Sequence, residues 1–73
     1  MAVISIGRSG CERLDSGHLW LYSGQVRAIE GEIAPGAIVE LRDGGGRYLA
    51  RGYFNPRSKI VVRVLTRRDE PID

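Results

Sequence analysis

The sequence predicts a mainly β fold: a small barrel-like sheet of five or six short strands with one short helix. Three observations lead there. Apolar and polar residues alternate over short runs, most clearly in Ala37-Ile38-Val39-Glu40-Leu41-Arg42, the period-2 pattern of a half-buried strand. Glycine- and proline-rich corners separate these runs at close intervals. No long amphipathic helical stretch interrupts them, which sets aside a βαβ Rossmann unit. The length of 73 residues allows one domain. A chain of this size buries only roughly 60% of its unfolded surface, leaving little mass to enclose a deep substrate pocket.

The elements follow in order. Val3-Ile4-Ser5-Ile6 reads as a strand ended by Gly7. Ser9 to Leu14 fits one or two helical turns, with Ser9 as N-cap, Glu12 as its capping-box partner and Gly17 as a left-handed stop. Leu19-Trp20-Leu21-Tyr22 joins that helix to the sheet, with Trp20 either a core anchor or a stacking platform. Gln25 to Ile29 is a further strand, ended by Glu30-Gly31-Glu32 in a solvated turn. Ala34-Pro35-Gly36 has the chemistry of a type II turn and introduces the 37–42 strand. Asp43-Gly44-Gly45-Gly46 is a hairpin loop. On the returning strand, Arg47, Leu49, Arg51 and Tyr53 share one face, and Tyr48, Ala50, Gly52 and Phe54 the other. Gly52 marks a bulge or a close backbone approach. After the turn at Asn55-Pro56-Arg57-Ser58, Lys59 to Thr66 has Val61, Arg63 and Leu65 on one face and Ile60, Val62 and Val64 on the other, with branched side chains on both, as a central strand would. Residues 1–68 are assigned to the domain and 69–73 to the start of a linker.

Composition excludes several classes. The single cysteine, Cys11, cannot form an internal disulfide. Cys11 and His18 are the only Cys and His, so no zinc site with several such ligands can form within one chain, and no metal is expected. No apolar run approaches the ~18 residues of a membrane span, and no secretory signal opens the chain. The default compartment is reducing and soluble. Charge is more telling than its net value of +2. Residues 1–41 carry a net −2, residues 42–68 a net +7 and the last five residues −3. Ten of the eleven basic residues are arginine, whose planar fork suits phosphate and whose face stacks on bases.

Two chemistries can be sketched from these residues. Cys11, Asp15 and His18 could be drawn as a triad, but nothing supplies an oxyanion site, and Cys11 serves equally as a small apolar filler. Gly44-Gly45-Gly46 lacks the Gly-Lys-Ser/Thr ending of a phosphate loop. The basic group is the stronger candidate. Arg51, Arg57, Lys59 and Arg63 lie on adjacent strands or their joining turn, and Arg51 and Arg63 emerge on one face if those strands pair. Such a row can follow phosphates, while Asn55 and Arg57 can reach base edges or ribose hydroxyls.

Arg13 followed by Gly17-His18-Leu19-Trp20-Leu21-Tyr22-Ser23-Gly24, then Pro35-Gly36-Ala37-Ile38-Val39, then Gly46 to Pro56 with its Arg51-Gly52-Tyr53-Phe54-Asn55-Pro56 segment, then Ser58 to Thr66, together resemble a known pattern. It is that of the N-terminal PUA-like domain of S-adenosylmethionine-dependent ribosomal RNA large-subunit methyltransferases of the type that modifies cytosine at carbon 5. The resemblance implies a PUA-like pseudobarrel and cytoplasmic binding of ribosomal RNA in front of a catalytic domain. It nominates Arg13 and the Gly17-His18 corner as RNA-facing, together with Arg51, Asn55 and Arg57, while Trp20 locks the helix to the barrel. It places S-adenosylmethionine and the catalytic cysteine in domains beyond this chain, so neither cofactor nor methyl transfer is expected of these residues. The alternative is a structural module that packs against the catalytic domain or a second copy.

Overall fold

The computed structural model describes residues 2–57 and 59–67; the expected linker at 69–73 lies outside them. Chain order is β1 (Ala2–Ile6), α1 (Arg8–Asp15), β2 (Trp20–Tyr22), a 3-10 turn (Ser23–Gln25), β3 (Val26–Glu30), β4 (Ile38–Arg42), β5 (Tyr48–Phe54) and β6 (Ile60–Thr66). The six strands form one curled sheet in the order β2-β6-β5-β4-β1-β3, with β1 and β4 parallel and the other pairs antiparallel. The helix packs against β1, β2 and the 3-10 turn.

Period-2 alternation built the core. Leu21, Val62 and Phe54 are register partners across β2, β6 and β5. Ile4, Leu41 and Ala50 form the next inward row, across β1, β4 and β5. All six are buried, and Leu14 enters from the helix. Removing a large side chain from such a set costs about 2–5 kcal/mol. The turns carry the expected chemistry. The Ala37 N–H donates to the Ala34 carbonyl at 3.0 Å with Gly36 at φ +81°, as a type II turn requires. Asp43 Oδ1 accepts from the Gly45 and Arg47 N–H groups, both at 2.9 Å, and closes the glycine loop. At Gly52 both readings hold, because the register shifts beside it and a Cβ there would collide with the Arg63 backbone carbonyl.

The helix departs from expectation. It begins at Arg8 with Gly7 as N-cap and no side-chain cap, so Ser9 sits inside the first turn and forms no capping box with Glu12. Gly7 N–H is held by the Gln25 carbonyl at 2.9 Å, which fixes the exit from β1. Gly10 must then lie on Ile6, where an added Cβ would stand 3.2 Å from the Ile6 Cβ. Glu12 instead pairs with Arg8 at 3.2 Å.

Two face assignments also change, each at a one-residue register shift. Leu41 faces Ala50 while Arg42 faces Tyr48, which makes Leu49 the extra residue and turns Tyr48 outward. Leu21 faces Val62 while Tyr22 faces Ile60, so Val61 is extra and Ile60 joins the outer face. A uniform alternation cannot anticipate this, since a one-residue slip exchanges the two faces of everything beyond it.

Candidate nucleic-acid interface

The helix ends as its sequence demands. Gly17 adopts φ +90°, its N–H donates to the Leu14 carbonyl at 3.0 Å, and the His18 N–H donates to the Arg13 carbonyl at 3.2 Å. This paired arrangement is the Schellman motif. The Arg67 guanidinium, arriving from the end of β6, also donates to the Leu14 carbonyl. The reversed chain brings β2 back beside the helix, and Arg13 becomes the clasp. Its Nε donates to the Trp20 carbonyl at 2.9 Å, and its guanidinium lies 5.3 Å from the Trp20 ring centre and 4.7 Å from that of Tyr22. Trp20 Nε1 donates to the Tyr22 hydroxyl at 3.2 Å, and the exposed His18 ring meets Trp20 edge-on at 5.5 Å. Trp20 therefore ties the helix to the sheet, with Arg13 as the intermediary.

Register organises the rest of the outer face. Directly paired residues project from the same side of a sheet. Trp20 pairs with Arg63, Arg63 with Tyr53 and Tyr53 with Ile38, one continuous row across β2, β6, β5 and β4. Tyr53 is 46% exposed and Arg63 is exposed. Ile60, turned outward by its bulge, lies with Tyr53, Arg63, Asn55 and the Pro35-Gly36 turn around a depression of about 290 Å³. Asn55 and Arg57 occupy the turn above it, where Asn55 Oδ1 accepts the Arg57 N–H at 3.2 Å. Arg57 and Lys59 are both exposed. Among the described residues no ion pair involves Arg57, Lys59 or Arg63.

The structure thus brings together two of the expected groups. Arg13, Gly17 and His18 form the corner; Asn55 and Arg63 line the depression, with Arg57 and Lys59 exposed on the turn between β5 and β6; the Trp20–Arg63 pairing joins the two groups. Arg51 does not join either group. It is directly opposite Glu40, with its guanidinium 3.6 Å from the carboxylate and 5.8 Å from the Tyr48 ring centre, and its side chain is only 14% exposed. Arg42 holds the other oxygen of the same carboxylate. Arg51 does share the outer face with Arg63, as strand pairing requires, but its charge is neutralised in place.

Sequence pattern alone does not place Tyr53, Tyr22 and Ile60 on this candidate face. Tyr53 had a legible signal, an aromatic ring in phase with arginines on the polar face of its strand. Ile60 had none, because only the bulge turns it outward. Cys11 packs half-buried against the core, and burial pushes its thiol above the ordinary range, the opposite of what a nucleophile needs.

Known proteins agree with this architecture. A PUA domain protein from Thermoplasma acidophilum superposes with a TM-score of 0.77 at 10% sequence identity, over 93% of this chain and 50% of that one. Ribosomal RNA large subunit methyltransferase I from Yersinia pseudotuberculosis is 40% identical over 57 residues, which is 77% of this chain and 14% of the relative. The Yersinia pestis protein of the same name matches to the same extent. The chain therefore spans about one seventh of the length of these curated relatives. The family model described as a PUA-like domain matches residues 4–67. With that match across nearly all of a chain already shown to fold as a curled six-stranded sheet, the protein belongs to the PUA-like domain family.

Proposed function

We propose that this domain binds ribosomal RNA, of the large subunit, and holds it for a methyltransferase of which it forms a part. The observation that carries the reading is the set of exposed, uncompensated cations Arg57, Lys59 and Arg63 with the exposed Tyr53 ring, continued through the half-buried Trp20 to the Arg13–His18 corner. Cations of this kind displace counterions from phosphates, and rings of this kind meet unpaired bases. The similarity to large-subunit rRNA methyltransferases supports the choice of RNA, a cytoplasmic setting and an adjoining catalytic domain as partner. The finer reading, methylation at carbon 5 of cytosine, follows the motif resemblance.

The domain's own part is recognition. S-adenosylmethionine supplies the methyl group in such a reaction, and the described residues do not suit it. The depression is open and lined by Pro35, Gly36, Tyr53, Phe54, Asn55, Ile60 and Arg63, with no carboxylate to take ribose hydroxyls. The cofactor belongs with the catalytic domain.

Titrating a large-subunit ribosomal RNA fragment into the chain at two salt concentrations tests the reading. Binding should weaken steeply with salt, and each of Arg57→Ala and Lys59→Ala should reduce the logarithmic salt slope by about one. Absent binding, or binding indifferent to salt, overturns it.

A further inference from the structure

We propose that the depression around Tyr53 is a stacking subsite for one unpaired RNA base, with Arg63 holding the adjoining phosphate and the Asn55 amide reading the base edge. This rests on the RNA-binding reading and adds to it a ligand class, single-stranded rather than duplex RNA, and a place.

Four features converge. Tyr53 is a large ring left 46% exposed on an interior strand of the sheet, and it sits in a concavity of about 290 Å³. Its direct cross-strand neighbour is Arg63, and no acidic residue lines the depression to repel a phosphate. Asn55 Oδ1 accepts a backbone N–H, which can only donate, so the amide orientation is fixed and Nδ2 is left to donate to a base. Pro35 and Ile60 supply apolar walls that suit the edge of a planar ring. Arg63 lies between Tyr53 and Trp20, which are two strands apart, about 10 Å. An unpaired strand crossing this face can therefore lay a base on Tyr53 while its phosphate meets Arg63. A duplex cannot, because its bases are already stacked and its edges lie within the grooves.

Fluorescence anisotropy with a labelled oligoadenylate about ten nucleotides long, and with a blunt-ended RNA duplex as the paired probe, separates the outcomes. Tyr53→Leu should weaken oligoadenylate binding on the order of tenfold and leave its salt slope unchanged, while Tyr53→Phe, which keeps the ring, should bind as the parent does. Arg63→Ala should weaken both probes and reduce the slope by about one. Thermal melts of the variants should coincide with the parent, since both side chains are exposed. If the parent binds the duplex and oligoadenylate and Tyr53→Leu binds them equally well, the subsite is wrong and the RNA-binding reading stands. If the parent binds neither probe, both fall. If Tyr53→Leu leaves RNA binding intact and abolishes self-association in sedimentation, the ring belongs to a contact between copies and the proposal is overturned.

Discussion

Two rows of side chains cross the outer face of the same sheet, and they use arginine in opposite ways. In the row Val3–Glu40–Arg51–Thr66, the central arginine meets a buried carboxylate and an aromatic ring, and Arg42 approaches the same carboxylate from two residues along β4. In the row Ile38–Tyr53–Arg63–Trp20, the arginine has aromatic rings on both sides and no carboxylate opposite it. The first row is an internal ion cluster that anchors the centre of the sheet. The second presents its charge to solvent. A count of arginines along the chain therefore overstates the potential available to a partner, and cross-strand register decides which cations count.

The comparison can be broken most severely at Gly52, the residue on β5 between Arg51 of one row and Tyr53 of the other. Gly52→Ala drives a Cβ into the Arg63 backbone, and backbone has little room to yield. The expected loss is about 3 kcal/mol or more, read as a collapsed urea midpoint, and both rows should be lost together. Glu40→Gln separates them. Taking the carboxylate from between Arg42 and Arg51 should cost about 2 kcal/mol, less than a fully buried pair would because Arg42 is 38% exposed. The same change removes a negative charge and leaves the chain one unit more positive, so RNA affinity should rise at low salt while stability falls. An unchanged melting temperature would show that the cluster contributes nothing. The smallest and sharpest contrast is between two arginines. Arg51→Ala should lower stability by about 1 kcal/mol with no change in the salt slope of RNA binding. Arg57→Ala should do the reverse, with stability within about 0.5 kcal/mol of the parent. If the two variants behave alike in either measurement, the distinction between the rows fails.

Much of this molecule is legible in its sequence where the determinants are local. Alternation placed Val39, Leu41, Ala50, Phe54 and Val62 inside, the Pro35-Gly36 pair made its turn, and Gly17 stopped the helix. The corner at Arg13 and His18 was anticipated through resemblance, yet the position of the Arg13 guanidinium against both Trp20 and Tyr22 was not. Tyr53 is legible as a ring among arginines, but an aromatic in a strand is ordinarily core, so its exposure is set by the fold.

What the sequence by itself determined is the set of strands, their turns and the inward faces of most of them, because hydrophobic period and turn chemistry act over a few neighbouring residues. Tertiary structure decided which arginines remain available. Glu40 and Arg51 are eleven positions apart along the chain, and only the β4–β5 register sets them opposite each other. Single extra residues at Leu49 and Val61 turned Tyr48 and Ile60 outward, the one beneath Arg51 and the other beside Arg63. Those bulges answer to the curl of the whole sheet, a demand that no local pattern carries.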